Sequence, residues 1–171
     1  FSEDFGLDTR VVRYHNVYGP LGTYDGGREK APAAICRKII NAKLNNIDAV
    51  DVWGDGKQTR SFLYISDCLD GTEKIFSSPS QNVYNVGSSE QVSINQMIEI
   101  IESIAKVNLK RNYQLDKPKG VRGRSSDNSK IKSEINWLPS VQLKSGLELT
   151  YKWIYDQVKS GSNLKKFTRN Y

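Results

Sequence analysis

Short strand-like runs alternate with helical patterns along this chain of 171 residues. The runs 9–14, 49–53 and 82–86 contain β-branched and aromatic residues, which is typical of buried strands. Elsewhere apolar residues recur at helical spacing, most clearly in the stripe Ile94, Met97, Ile98, Ile101 and Ile104. Because strands that alternate with helices form layers, the sequence predicts an α/β fold with at least some parallel pairing.

The charge of the chain favours a small anionic partner. Lys and Arg number 25 against 19 Asp and Glu, a formal net charge of +6, and positive charge attracts anions. The cations are scattered, with local density at 117–132 and 159–169, whereas nucleic-acid-binding proteins usually show a basic stripe with exposed aromatic residues. We therefore expect a nucleotide or diphosphate and no nucleic acid. No apolar run approaches the length of a membrane span, so we expect no membrane partner.

The cysteines and the histidine give no sign of a metal site. Cys36 and Cys68 lie far apart without metal-ligand spacing, and His15 is the only histidine. A His/Cys metal site is therefore not expected. Both cysteines fall within helical patterns, and we expect them to be reduced core residues of a cytoplasmic protein.

A charged, glycine-rich loop precedes a predicted helix over 31–43. The loop 16–30 carries four glycines and one proline, and it leads into the run Gly26-Gly27-Arg28-Glu29-Lys30-Ala31-Pro32. Pro32 suits the first turn of a helix. Such a loop can lay charged groups against a small anionic ligand. The alternative is that Lys30 and Lys38 are solvated residues near a helix start.

An asparagine follows the strand-like run 9–14, in the motif Arg13-x-x-Asn16-x-Tyr18-Gly19-Pro20. Ligands of α/β sheets bind at the carboxyl ends of strands, so Asn16 can offer its amide to a ligand. The alternative is a plain turn, since Asn, Gly and Pro are ordinary loop residues.

A second polar motif reads Gln58-Thr59-Arg60-Ser61-Phe62-x-Tyr64-Ile65-x-Asp67. The Gly54-Asp55-Gly56 sequence before it has the composition of a hairpin turn, so we expect 49–53 and 60–65 to form a β-hairpin. Arg60 can hold a diphosphate through two parallel hydrogen bonds. Alternatively, Arg60 pairs structurally with Asp67 or another carboxylate.

A basic loop containing Arg122 and Arg124 leads into a predicted helix over 129–135. Arginines beside a helix start suit phosphate binding. In the alternative, the loop is solvated and Asp127 or Asn128 merely caps the helix. The residues alone do not decide between the two arginines.

Together these motifs resemble the extended short-chain dehydrogenase/reductases that act on nucleotide sugars. The run from Gly26 to Ala34, with Cys36-Arg37-Lys38 just after it, resembles the GDP-mannose 3,5-epimerase family rather than its decarboxylase, dehydratase or 4-epimerase relatives. The resemblance extends from Gly6 to the last predicted helix, over 145–159. One departure is Asn136, where the family usually has glycine before the tryptophan. Asn is the next-best residue for a left-handed helix end, so this change is mild.

The resemblance implies the C-terminal part of a Rossmann-type enzyme together with its smaller substrate-binding domain. It assigns 1–20 and 61–90 to the end of the NAD-binding Rossmann domain, 21–60 and 91–160 to the nucleotide-sugar-binding domain, and 161–171 to a tail. It also implies NAD as the cofactor, a homodimer and a cytoplasmic location.

Site residues follow from the same resemblance, position by position. Lys30 corresponds to the family's catalytic lysine, and Arg124 rather than Arg122 corresponds to the ligand-binding arginine. The residues implied to bind a GDP-sugar are Asn16, Glu29, Lys30, Ala31, Lys38, Gln58, Thr59, Arg60 and Arg124.

The implied reaction inverts carbons 3 and 5 of GDP-mannose to give GDP-L-galactose. Hydride transfer to NAD makes carbon 4 a ketone, which acidifies the neighbouring protons, and Lys30 transfers a proton on one face of the sugar. The resemblance places the opposing cysteine, the glycine-rich NAD loop and the Tyr-x-x-x-Lys pair in an N-terminal half outside this chain. We therefore expect the chain alone to be inactive.

Three other functions stay open. Another NAD-dependent nucleotide-sugar enzyme, such as a UDP-glucuronate decarboxylase or a 4-epimerase, would keep Asn16, Arg60 and Arg124 but has no need of Lys30. A non-catalytic module would hold a nucleotide sugar without chemistry. Nucleic-acid binding is the weakest alternative, and it predicts strongly salt-dependent affinity.

Overall fold

The computed structural model describes residues 2–118 and 120–161. The predicted tail therefore lies outside the described residues, apart from Gly161. The helices are α1 (Ser2–Phe5), α2 (Ala31–Leu44), α3 (Ile65–Ser77), α4 (Ile94–Ala105), α5 (Ser129–Ile135) and α6 (Leu143–Lys159). The strands are β1 (Val11–Tyr14), β2 (Val17–Tyr18), β3 (Ala49–Trp53), β4 (Thr59–Ser61), β5 (Leu63–Tyr64), β6 (Val83–Val86), β7 (Gln91–Ser93), β8 (Lys110–Gln114) and β9 (Gly123–Arg124).

Parallel pairing dominates the sheets, as expected for an α/β fold. Strand β1 pairs with β6, β2 with β5, and β3 with β8, all in parallel. Strand β4 lies between β7, which is antiparallel to it, and β9, which is parallel. The predicted fold class is confirmed.

The hairpin predicted across Gly54-Asp55-Gly56 is wrong. Strand β3 pairs with β8 instead, and the Gly54 N–H donates to the Gln114 carbonyl at 2.8 Å. Both glycines have positive φ, 74° at Gly54 and 69° at Gly56. The turn contacts the start of α4, where the Asn95 N–H donates to the Gly56 carbonyl at 3.0 Å. A turn is present as predicted, but it joins strands of different sheets.

Local signals explain where several helices begin and end. Ser93 and Gln96 form a reciprocal capping box at the start of α4. Asn136 ends α5 with φ 54°, in the left-handed conformation expected of it. Helix α6 begins at Leu143, two residues before the predicted 145, because the Glu90 carboxylate accepts the Leu143 N–H at 3.0 Å.

Two hydrophobic cores support the sheets. The larger one joins α2, α4 and α6 to β3, and its members include Ile39, Val52, Ile98, Ile101 and Leu147. The smaller one contains Leu63, Cys68, Ile75, Tyr84, Val86, Ile131 and Trp137. Cys36 and Cys68 are both free and buried, as predicted. Within the described ranges, no helix is long and apolar enough to cross a membrane.

Candidate functional site

Two arginines lie side by side on adjacent strands. Arg60 is the register partner of Arg124 in the parallel pair β4–β9, and register partners project from the same face of a sheet. The Arg60 guanidinium donates to the Thr59 carbonyl at 2.6 Å. Neither arginine has an ion-pair partner among residues 2–118 and 120–161. The pair is therefore an uncompensated cationic feature that suits an anion.

The alternative pairing of Arg60 with Asp67 is wrong. The buried Asp67 carboxylate accepts hydrogen bonds from the Ser140 N–H at 3.1 Å, the Ser140 hydroxyl at 2.9 Å and the Val141 N–H at 2.9 Å. Asp67 thus ties α3 to the turn before α6. Its role is structural, and Arg60 remains available.

The basic loop before α5 has the capping contact that one of the two alternatives predicts. Asp127 accepts from the Ser129 N–H at 2.9 Å and from its hydroxyl at 2.6 Å, so this carboxylate does anchor the helix start. These hydrogen bonds lower the pKa of Asp127. Arg122 contributes its carbonyl, which accepts the Thr59 N–H at 3.0 Å. Arg124, however, lies on β9 beside Arg60 and is exposed.

Asn16 lies beside the end of β4. Its side-chain amide nitrogen donates to the Ser61 carbonyl at 3.2 Å, and its backbone carbonyl accepts the Leu63 N–H at 3.0 Å. The first bond orients the half-buried side chain, and the second fixes the backbone between β1 and β2. The structure therefore brings Asn16 next to the strand that carries Thr59 and Arg60.

Gln58 and Thr59 are held by their neighbours on β3 and β7. The Thr59 hydroxyl donates to the Gln91 side-chain oxygen at 3.1 Å. The Gln58 amide nitrogen donates to the Trp53 carbonyl at 3.2 Å, and the Gln58 side-chain oxygen is buried without a hydrogen-bond partner among the described residues. A buried acceptor without a partner is costly, so this oxygen is suited to a ligand donor.

Lys30 stands at the entrance of α2. It is the N-cap residue with φ −75° and ψ 157°, and its carbonyl accepts the Ala34 N–H at 3.0 Å. Ala31, half-buried, is the first helical residue. The Lys30 side chain is exposed and has no hydrogen bond or ion pair with the part of the chain that the structure describes. Its ammonium group is thus free to meet a ligand.

Glu29 is engaged on both carboxylate oxygens. Oε2 accepts the Gly27 N–H at 2.7 Å, and Oε1 accepts from Arg37 at 3.0 Å. The side chain is only 9% exposed. Burial acts to raise the pKa of Glu29, but its own backbone N–H, Arg37 and Gly27 outweigh burial, and the net pKa is lowered. The carboxylate therefore faces its own loop.

Lys38 and Gln58 reach the same strand from different elements. The Lys38 ammonium donates to the Asp51 carbonyl at 2.9 Å, two residues before the Trp53 carbonyl bound by Gln58. Carbonyls two residues apart in a strand point the same way, so both side chains lie along one edge of β3. Burial lowers the pKa of Lys38, as does Arg37, against the opposing effect of Asp51.

The predicted residues thus fall into two groups linked through β3. One group surrounds β4 and comprises Asn16, Gln58, Thr59, Arg60 and Arg124. The other lies at the start of α2 and comprises Glu29, Lys30, Ala31 and Lys38. Arg37 was not among the predicted site residues. It lies eight residues from Glu29, and no local sequence pattern marks the pair.

Residues 1–87 match a sequence model described as the NAD dependent epimerase/dehydratase family. The chain belongs to this family. It is 45% identical, over 159 residues, to the GDP-mannose 3,5-epimerase of Arabidopsis thaliana, an alignment that covers 93% of this chain and 41% of that protein. The predicted resemblance is confirmed, and the chain spans less than half of that relative's length.

Solved structures of this family share the fold. The UDP-glucose 4-epimerase of Thermotoga maritima, solved with UDP-glucose, matches with a TM-score of 0.81 and 26% identity, covering 92% of this chain and 49% of that one. The UDP-glucuronic acid 4-epimerase of Bacillus cereus, solved with UDP-glucuronic acid and NAD, matches with a TM-score of 0.75 and 29% identity, covering 92% of this chain and 48% of that one. The predicted Rossmann-type architecture is therefore confirmed.

The family whose model matches is described as NAD-dependent. The dinucleotide fingerprint Gly-x-Gly-x-x-Gly does not occur in the sequence. The Tyr-x-x-x-Lys spacing was not expected here but occurs twice, at Tyr113/Lys117 and Tyr155/Lys159. Tyr113 bonds the Asn95 side chain at 3.3 Å, and Tyr155 packs against the larger core. Both tyrosines therefore have structural contacts.

Proposed function

We propose that the full-length protein containing this chain epimerises GDP-mannose at carbons 3 and 5 to GDP-L-galactose. The observation that carries this proposal is Lys30: an exposed ammonium without a partner among the described residues, at the start of a helix, on a loop whose acidic neighbour is already engaged. The 45% identity to the Arabidopsis thaliana GDP-mannose 3,5-epimerase supports it.

Arg60 and Arg124 are proposed to hold the diphosphate. Two guanidinium groups on one sheet face can form charge-assisted hydrogen bonds to successive phosphates, and the ligand charge relieves their mutual repulsion. Three polar groups lie on or beside β4. They are the hydroxyl of Thr59, the unpaired side-chain oxygen of Gln58 and the side-chain amide of Asn16. These groups suit the ribose and the sugar hydroxyls.

Lys30 is proposed to carry a proton to or from carbon 3 or carbon 5. Such transfer requires acidic carbon-bound protons, and a transient ketone at carbon 4, formed by the hydride chemistry of the family's NAD, makes them so. Lys38 and Ala31 complete the sugar contacts on α2. The Glu29 carboxylate is turned toward Gly27 and Arg37, so its contact with the sugar is proposed from the resemblance alone.

The proposal includes the division of the chain into two units. Residues 1–20 and 61–90 end the NAD-binding domain, and 21–60 and 91–160 form the nucleotide-sugar-binding domain. The two cores support this division only in part. The smaller core includes Ile131 and Trp137, and the larger core includes Tyr18, Phe62 and Tyr64, so each contains residues assigned to the other unit. A homodimer in the cytoplasm is proposed from the resemblance alone.

A second candidate is a 4-epimerase acting on a UDP-sugar. The Thermotoga maritima UDP-glucose 4-epimerase shares this fold with a TM-score of 0.81. Such an enzyme would use the arginine pair and Asn16 in the same way. It gives no role to the free ammonium of Lys30, and this difference favours the first candidate.

To test this proposal, the full-length protein is incubated with NAD and either GDP-mannose or UDP-glucuronate in parallel reactions. The products are identified by proton NMR. Formation of GDP-L-galactose supports the proposal. Conversion of the UDP-sugar with GDP-mannose untouched would replace it with the second candidate. Tight binding of GDP-mannose without turnover would instead mean a non-catalytic binding module.

A further inference from the structure

We propose that Arg37 is a positioning residue that holds the charged loop 24–30 in the shape in which Lys30 can act. This inference rests on the proposed function of Lys30. Arg37 lies in α2, two turns after the loop, and its guanidinium faces back toward it. Its role comes from three contacts that converge on one side chain.

The contacts span the loop from one end to the other. Arg37 Nε donates to the Tyr24 carbonyl at 2.8 Å, and Nε lies 3.6 Å from an Asp25 carboxylate oxygen. Arg37 Nη2 donates to Glu29 Oε1 at 3.0 Å. Through Glu29 the contact continues to the Gly27 N–H, which donates to Oε2 at 2.7 Å. One guanidinium therefore connects both ends and the middle of the loop.

Tyr24 is fixed in the larger core by its contact with Trp153, and the Gly26 N–H donates to the Asp25 carboxylate at 2.8 Å. The two glycines that follow Asp25 add no side-chain contact of their own. Gly26 and Gly27 have φ of 97° and 86°, and a side chain built at either position would meet nothing within 4 Å. Glycines in open space leave a backbone mobile unless other groups hold it. Arg37, by contrast, is anchored on a rigid helix between Cys36 and Ile39, which are both fully buried. The packed helix therefore fixes the position of Arg37, and Arg37 in turn holds the loop.

Arg37 also determines which charges lie free beside Lys30. Glu29 directly precedes Lys30, and a free carboxylate there could pair with the lysine ammonium. Because Arg37 engages the Glu29 carboxylate, Lys30 is left without an ion-pair partner among the described residues. A guanidinium suits this role because its planar fork can serve the Tyr24 carbonyl and the Glu29 carboxylate together, which a lysine ammonium cannot reproduce.

The test compares full-length wild-type protein with Arg37→Met, Arg37→Lys and the control Lys74→Met, which breaks a surface ion pair with Asp70. Amide hydrogen exchange of peptides covering 24–30 reports loop order without reference to activity. Turnover of GDP-mannose gives kcat and KM. We expect Arg37→Met to lose protection in the loop and to lower kcat on the order of 100-fold with KM nearly unchanged. Arg37→Lys should keep only part of the loop protection and part of the wild-type kcat. Lys74→Met should match the wild type in both measurements.

The outcomes separate this inference from the proposed function. Unchanged loop protection in Arg37→Met, or lost protection with unchanged kcat, overturns the positioning role. Should Arg37→Met fail to fold, Arg37→Lys carries the same comparison. If the wild type does not turn over GDP-mannose while loop protection depends on Arg37, the proposed function fails and the assignment of Arg37 as the holder of the loop stands.

Discussion

Arg60 and Arg124 are register partners on two parallel strands, with no carboxylate paired to either among the described residues. Two like charges held together repel each other, so this arrangement is favourable when an anion lies between them. A bound diphosphate provides such an anion. The pair is therefore the part of the site whose electrostatics most directly indicate the class of ligand.

Replacing either arginine by lysine should weaken nucleotide binding. Arg60→Lys and Arg124→Lys keep the charge but lose the bidentate fork, and hydrogen bonds to charged groups contribute about 1.5–3 kcal/mol. We expect the Kd for GDP to rise roughly 10- to 100-fold in each variant of the full-length protein, measured by titration calorimetry. Arg122→Lys is the matched control, because only the Arg122 carbonyl has an assigned contact. A larger effect from Arg122→Lys than from Arg124→Lys would contradict the choice of Arg124.

Asp67→Ala should destabilise the protein without removing a ligand contact. Alanine has no acceptor for the N–H groups of Ser140 and Val141, which now donate to the same carboxylate oxygen. Leaving such part-buried donors unmatched costs about 1–3 kcal/mol, which urea unfolding of the full-length protein can resolve. Asp116→Ala, at an exposed position, is the control and should change stability little. Equal stability of the two variants would mean that Asp67 does not tie α3 to the turn before α6.

Gly71→Ala should also destabilise the protein, by overpacking. A Cβ at Gly71 would lie 2.8 Å from the ring of Trp137, which is 1% exposed in the smaller core. The indole is further fixed by its hydrogen bond to Asp70 at 2.9 Å and has little room to move. We expect a loss of about 1–3 kcal/mol in the same unfolding assay. The exposed substitution Glu73→Ala on the same helix should stay within about 0.5 kcal/mol of the wild type, and a neutral Gly71→Ala would show that the core can relax.

The anchoring of Glu29 should depend on pH in a defined direction. Its folded-state pKa is lowered, so the ionised carboxylate contributes stability that is present above its unfolded pKa and lost as the pH falls through the folded pKa. We expect wild-type Tm to exceed that of Glu29→Gln at pH 7 and the difference to vanish in acid, on the order of pH 4 and below. The exposed control Glu148→Gln should show no such change. A Tm difference that persists in acid would mean that Glu29 stabilises the loop in another way.

Much of the fold can be predicted from the sequence because the features that specify it are local. The Ser93 capping box, the short helix over 129–135 and the left-handed Asn136 all depend on residues close together in the chain. The hairpin prediction fails because the partner of β3 is β8, a strand distant in sequence, and a turn sequence does not specify which strands it joins.

The candidate site shows the same limit. Lys30 and the arginine pair lie in motifs that can be read from the sequence, whereas the bond between Arg37 and Glu29 joins a helix to a loop at a spacing that no local pattern marks. The Tyr-x-x-x-Lys spacing illustrates the converse, since it occurs twice at positions with structural contacts.

The most direct test of the account follows deuterium into the sugar. Full-length protein is incubated with GDP-mannose and NAD in heavy water, and the protons on carbons 3 and 5 are read by NMR. We predict exchange at both carbons in the wild type and in Lys110→Met, a control at an exposed lysine paired with Asp48, and its loss at one or both carbons in Lys30→Met. Undiminished exchange at both carbons in Lys30→Met, or none in the wild type, would contradict the account.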